Sequence, residues 1–161
     1  MGYIFRLNKE TFKFSCTHFT IFGPHHGEKM HGHNYQVGFD LHFAKTSKDE
    51  GLAIDFNQIK PIIKSICDLL DEHILIAKDS PHQQVNKDGE QVTILFNKKT
   101  YSLPATDTLL LPLVNISSEE LARYICLEFI KKCPKDIGLE KVETTIEETR
   151  GQGVTFFQDL C

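Results

Sequence analysis

Tyr35, Val37, Phe39, Leu41 and Phe43 alternate with Gln36, Gly38, Asp40 and His42, the period-two pattern of a strand with one buried face. Such a strand must be covered on one side, so it constrains the fold more than any other stretch. His31-Gly32-His33 stands immediately before it. Residues two apart on an extended chain point the same way, so both imidazoles can converge on one ion while Gly32 leaves room between them. Phe12, Phe14 and Cys16 form a second alternating run, and His18 continues its parity. A neighbouring strand can therefore supply a third nitrogen. Three neutral histidines with a fourth position left to water or substrate suit a catalytic zinc, whereas a structural zinc more often uses cysteines.

The rest of the composition fits such an enzyme-like centre in an ordinary globular chain. At 161 residues it is expected to form a single domain spanning 1–161 with its own core. A net charge of -4 gives no basic surface for nucleic acid. The start, Met1-Gly2-Tyr3-Ile4-Phe5-Arg6, has no apolar stretch long enough for a signal peptide or a membrane span, so no membrane partner and a cytoplasmic location are expected. Cys16, Cys67, Cys126, Cys133 and Cys161 are odd in number and lack Cys-x-x-Cys spacing, so they read as reduced structural thiols.

Tyr3 to Leu7 and Thr11 to Cys16 are short alternating segments, and Asn8-Lys9-Glu10 suggests a hairpin between them. Leu52-Ala53-Ile54 reads as a short strand. Asp55 then suits a helix N-cap, with Ile59, Ile62, Ile63, Ile66, Leu69, Leu70 and His73 following at helical spacing, which places His73 at the helix end. Ser117-Ser118-Glu119-Glu120 is a capping-box pattern opening a second helix through Leu121, Ile125 and Phe129, stopped by Cys133-Pro134. Between them, Gln91 to Phe96 and Lys99 to Leu103 read as a strand pair around Asn97-Lys98, with a turn at Asp88-Gly89, so the stretch 78–112 is expected to carry an extra hairpin. Val142, Thr144, Ile146 and Glu148 share one face of a later strand, and Val154 to Phe157 follow a glycine-rich break. Sequential antiparallel strands with two amphipathic helices on one face indicate an α+β architecture.

With these elements in place, the chain resembles the 6-pyruvoyltetrahydropterin synthase and 6-carboxytetrahydropterin synthase family over nearly its whole length. Phe14-Ser15-Cys16-Thr17-His18 resembles the family's Phe-Ser-x-x-His ligand segment and His31-Gly32-His33-Asn34-Tyr35 its His-Gly-His pair. Ile54-Asp55-Phe56, Ser117-Ser118-Glu119-Glu120-Leu121-Ala122 and Glu148-Thr149 follow in the family's order. The resemblance implies the tunnelling fold, oligomerising into a barrel, and a zinc held by His18, His31 and His33. It also implies a 7,8-dihydropterin substrate with a three-carbon side chain and a homohexamer with active sites shared between subunits.

On this resemblance Glu148 anchors the pterin, since a carboxylate can accept two parallel hydrogen bonds from the 2-amino and N3–H edge. Thr149, Ser118 and Glu119 accompany it on the substrate. The parity of Val142 and Ile146 favours Glu148 over Glu147 as the inward carboxylate, which then requires a partner. Leu70-Asp71-Glu72-His73 resembles the family's Asp-His proton relay with one extra residue. His73 is the relay, and either Asp71 or Glu72 is its carboxylate partner.

The family's usual base is a cysteine in the loop before His-Gly-His. Here that loop reads Gly23-Pro24-His25-His26-Gly27-Glu28-Lys29-Met30 and contains none. Glu28, in a Glu-x-x-His-Gly-His pattern, resembles the type III branch, whose glutamate replaces the cysteine and whose product is 6-hydroxymethyl-7,8-dihydropterin, a folate precursor. A partly desolvated carboxylate near zinc can take a hydroxyl proton and start retro-aldol cleavage. The expected activity is a zinc-dependent lyase acting on 7,8-dihydroneopterin triphosphate. The alternatives are a pyruvoyl- or carboxy-forming synthase with an atypical base and a non-catalytic pterin- or purine-binding paralogue.

Overall fold

The computed structural model describes residues 1–135 and 137–160; Cys161 lies outside them. The chain runs through β1 (Tyr3–Leu7), β2 (Lys13–His18), β3 (Ile21–Gly23), β4 (His26–Gly27), β5 (His31–Phe43), α1 (Phe56–Leu70), β6 (His73–Ala77) and β7 (Gln84–Asp88). It continues through β8 (Gln91–Phe96), β9 (Lys99–Pro104), β10 (Thr108–Leu111), α2 (Ser118–Lys132), β11 (Leu139–Thr149) and β12 (Gln152–Asp159).

The alternating strand read from the sequence is β5, and it organises the main sheet, ordered β10-β6-β2-β5-β11-β12. Its odd-numbered side chains from Tyr35 to Phe43 are buried. They meet Ile59, Ile63 and Ile66 of α1 and Leu121, Ile125 and Phe129 of α2 in one core, where Phe39 and Phe129 approach to 4.7 Å between ring centroids. Both helices start as their caps dictate. Asp55 accepts a hydrogen bond from the Asn57 N–H at 2.8 Å, and Ser117 accepts one from the Glu120 N–H. Glu119 and Glu120 in the first turn and Lys131 and Lys132 in the last complement the α2 dipole.

Four expectations are corrected. β1 and β2 do not form a hairpin. Both pair antiparallel with β5, β1 along Phe39–Phe43 and β2 along His31–Gln36, so they lie end to end on one edge. The connecting segment turns back onto β5 because the Gln36 amide donates to the carbonyls of Lys9 and Phe12, at 2.7 and 3.0 Å, and Phe12 is buried. Residues 52–54 form no strand; Ile54 is buried and leads directly into the Asp55 cap. α1 stops at Leu70. Asp71 is extended, Glu72 takes a left-handed φ of 58°, and His73 opens β6 instead of closing the helix. The sheet is antiparallel-rich rather than wholly antiparallel, because β6 runs parallel to β2 and to β10. Each of these parallel pairings follows a long crossover, one through α1 and one through the segment 78–107.

The expected strand pair is β8 and β9, joined by Asn97 and Lys98 with φ of 44° and 63°, the backbone of a tight primed turn. β7 adds a third strand on the other side of β8, giving a small sheet separate from the large one. Its inward residues Val92, Ile94 and Phe96 pack with Phe19, Ile21 and Ile76 in a second core. Among the described residues no helix is long and apolar enough to cross a membrane.

Candidate metal centre and active site

The alternation that buries Tyr35 to Phe43 continues back along β5, so His31 and His33 share the face that carries the core. β2 pairs antiparallel with this end of β5 and sets His18 directly opposite His31, and Cys16 opposite His33. Cross-strand partners share a face, which brings the three imidazoles together with ring centroids 4.7 to 5.3 Å apart. One nitrogen from each lies within 4.8 Å of the other two.

The hydrogen bonds orient this donor set. Nδ1–H of His18 donates to the Ile116 carbonyl at 3.0 Å, just before α2, and Nδ1–H of His31 donates to the Lys29 carbonyl at 2.7 Å. Each ring thus directs Nε2 inward as a lone pair, the arrangement in which an outer carbonyl fixes a metal-bound histidine. Burial lowers the His18 pKa, with His31 and His33 adding to the effect, so the ring is neutral and able to ligate at neutral pH. The Tyr35 hydroxyl lies 3.1 Å from both His18 Nε2 and Glu148 Oε1. One hydroxyl proton cannot serve both acceptors, and a cation accepting the Nε2 lone pair resolves the conflict. The residues therefore fit a metal ion: three imidazole nitrogens, two held by carbonyls, with no fourth protein ligand among the described residues.

Glu148 sits at the end of β11, on the face of Val142, Thr144 and Ile146. Its Oε1 accepts from Tyr35 and, at 2.9 Å, from Ser118 Oγ in the first turn of α2. Oε2 has no protein partner of its own among these bonds. Burial raises the Tyr35 pKa and Glu148 raises it further, so this hydroxyl stays protonated and donates. Thr149 and Glu119 are exposed.

Glu28 stands in the short link between β4 and β5. Its Oε2 accepts from the Thr20 N–H at 3.0 Å while its own N–H donates to the Thr20 carbonyl at 2.9 Å. Burial opposes its charge, but the Thr20 hydroxyl and N–H, together with His31 and His18, hold its pKa below the ordinary carboxylate range. A carboxylate is thus fixed at the edge of the histidine cluster in its charged form. His25 and His26 of the same loop are exposed, and His26 lies against Phe22 at 5.2 Å.

His73 is not gathered into this cluster. It pairs with Cys16, which pairs on its other side with His33, so His73 and His33 stand two strands, about 10 Å, apart. Neither expected carboxylate reaches it. Asp71 Oδ1 accepts from the Ser15 N–H at 2.7 Å, Glu72 is exposed, and His73 Nδ1 donates to the Asp71 carbonyl at 2.7 Å. His73 borders a cleft of about 550 Å³ that His33 and Glu72 also line, together with Ser15, Asn34 and Asp107. Between the two histidines, the buried Cys16 thiol is pushed up to about 12 by burial, with Asp71 and Glu148 contributing, and it remains neutral.

Tyr35 belongs both to the core pattern and to the His31–Tyr35 segment, and its parity with His33 makes it the next residue on the histidine face. Sequence reasoning missed Thr20 and Asn115. Asn115 clamps both backbone groups of Ile21, accepting from its N–H at 3.0 Å and donating to its carbonyl at 2.9 Å.

The helix-backed sheet and its histidine centre define a site suited to a metal ion beside a small polar molecule that hydrogen-bonds a carboxylate. The family model for 6-pyruvoyl tetrahydropterin synthase matches residues 6–159, and the chain belongs to this family of enzymes of pterin biosynthesis. A Methanocaldococcus jannaschii protein, provisionally named a 6-carboxy-5,6,7,8-tetrahydropterin synthase, is 31% identical over 147 residues, covering 89% of this chain and 88% of its own. The crystal structure of 6-pyruvoyl tetrahydropterin synthase from Plasmodium vivax superimposes with a TM-score of 0.92 at 25% identity, covering 99% of each chain. A second Plasmodium vivax structure, equally similar, carries alanine in place of a glutamate described as a catalytic residue.

Proposed function

We propose that this chain is a zinc-dependent lyase that cleaves the side chain of 7,8-dihydroneopterin triphosphate to leave 6-hydroxymethyl-7,8-dihydropterin. The observation that carries the reading is Glu28: a charged carboxylate held by Thr20 beside His18 and His31, in a loop without cysteine. The catalytic glutamate of the Plasmodium vivax relative supports it. His18, His31 and His33 hold the zinc, which supplies Lewis-acid polarisation of the side-chain oxygens. Glu28 takes the hydroxyl proton that starts carbon–carbon cleavage. Glu148, held by Ser118 and Tyr35, offers its free oxygen to the pterin edge, with Thr149 and Glu119 at the rim. His73 acts as proton relay with its ring set by the Asp71 carbonyl. His73 lines the same cleft as His33 of its own chain, and the assembly expected from the family is a cytoplasmic homohexamer in which subunits share sites.

Mass spectrometry of zinc-loaded protein incubated with 7,8-dihydroneopterin triphosphate tests the product, and a hydroxymethylpterin is expected. A pyruvoyl or carboxy product is the second reading, favoured by the names of the relatives. Glu28→Gln is expected to lower turnover by about 10²- to 10⁴-fold with zinc content unchanged. Full activity in that variant removes Glu28 from the mechanism.

A further inference from the structure

The loop bearing Glu28 has little to hold it by itself. β3 and β4 have three and two residues, too few for a hairpin to be stable alone, and Phe22 on it is 60% exposed. Yet the Thr20 and Glu28 pairing at its base requires the hairpin to stay in place. On one side Asn115 grips Ile21. On the other stands the small sheet β7–β9, which shares no ladder with the main sheet.

That sheet meets the hairpin at two points and the residue leading into it at a third. The Phe96 ring lies over Gly27 so closely that a Cβ there would stand 2.8 Å from Cε1 and 2.9 Å from Cζ, which excludes any larger residue without displacing the ring or the loop. Asn97 Nδ2 donates to the His25 carbonyl at 2.7 Å. Phe96 and Tyr101 stack on Phe19 at 5.7 and 5.6 Å, and Phe19 lies between His18 and Thr20 in sequence. One side of the small sheet therefore packs on both ends of the segment that sets the Glu28 carboxylate.

We infer that β7–β9 is a buttress for the Glu28 loop, with Phe96 and Asn97 as positioning residues that hold this carboxylate at the metal centre. The inference rests on the reading of Glu28 as the base, and it assigns the extra sheet a part in the reaction without touching substrate. A displacement of about 1 Å in a reacting group can cost about a hundredfold in rate, so a partial loosening is expected to show in turnover before it shows in binding.

Asn97→Gly is the first variant, because glycine keeps the left-handed turn while removing the amide. Phe96→Leu is the second. In each, amide hydrogen exchange of the Glu28 N–H is expected to accelerate about tenfold, the effect of losing one net hydrogen bond, with His33 and Ile146 amides unchanged. Zinc stoichiometry and KM should stay within twofold of the parent while kcat falls about tenfold. Unchanged exchange at Glu28 in both variants overturns the buttress, as does a loss of zinc and a rise in KM in step with kcat. If Glu28→Gln proves fully active, the base reading fails, and the exchange data alone decide whether the sheet holds the loop.

Discussion

The two halves of β5 obey one geometric rule with opposite chemical results. Beyond Tyr35, the side chains of one face are Val37, Phe39, Leu41 and Phe43, all covered by α1 and α2. Before it, the same face carries His31 and His33. Period-two alternation places both sets identically; the difference lies in what covers them. Where the helices lie over the strand, an apolar side chain needs only volume. Where α2 begins, its cap region offers the Ile116 carbonyl and the Ser118 hydroxyl instead, and polar groups can be buried because they are partnered. Tyr35 marks the boundary: its ring stacks on Phe14 at 5.0 Å in the core, and its hydroxyl faces His18 and Glu148.

The largest expected effect separates these halves completely. His31→Ala should abolish tight zinc binding, taking metal content after gel filtration from one equivalent to near none, while changing the stability of the metal-free protein little. Phe39→Ala should do the reverse, destabilising the fold by about 3 to 5 kcal/mol through an unfilled core volume while the folded fraction still binds one equivalent. Metal analysis paired with urea titration measures both. One equivalent of tightly held zinc in His31→Ala would remove that ligand and with it the distinction.

The same contrast explains what was legible in the sequence. The parity of β5, the caps Asp55 and Ser117, the Asn97-Lys98 turn and the convergence of His18, His31 and His33 are local patterns, and they could be read without the fold. β6 and β10 were not read as strands because Ile74 to Ala77 and Leu109 to Leu111 are short apolar runs whose parallel partners are far away in sequence. The spacing of His73 continues the α1 stripe, and the break comes from backbone alone, an extended Asp71 followed by a left-handed Glu72. The groups that orient the centre are mostly backbone carbonyls, Ile116 and Lys29, which carry no side-chain signature. Tyr35 was read as core because it is core, and its second role depends on Glu148 arriving from β11.

A smaller effect probes that boundary residue. Tyr35→Phe keeps the ring in the core and removes the hydroxyl shared by His18 and Glu148. A stability loss of about 1 kcal/mol is expected. Among the described residues Glu148 then keeps only Ser118 as protein donor, and KM should rise about three- to tenfold as its carboxylate loses orientation, with zinc content unchanged. Urea titration and steady-state kinetics distinguish the two consequences. A lower stability with unchanged KM would assign Tyr35 wholly to the core half of the strand.

The smallest effect concerns pH in the metal-free protein. His18 has a folded pKa below its unfolded value of 6.5, chiefly because burial penalises the imidazolium. Below pH 6.5 the unfolded chain binds a proton that the folded chain resists, so stability is full above pH 6.5 and falls as pH drops through the folded pKa. The slope from this one group cannot exceed about 1.4 kcal/mol per pH unit. Glu28 and Glu143, also lowered, lose their contribution only as pH falls below the ordinary carboxylate value of 4.5, so the two windows separate. Urea midpoints of zinc-free protein at pH 7.5, 6.5 and 5.5 should decline across the last interval, and His18→Gln should flatten that decline. An unaltered slope in His18→Gln would mean that the ring is as readily protonated in the fold as in water. The histidine half of β5 would then be an open surface, and its contrast with the covered half would fail.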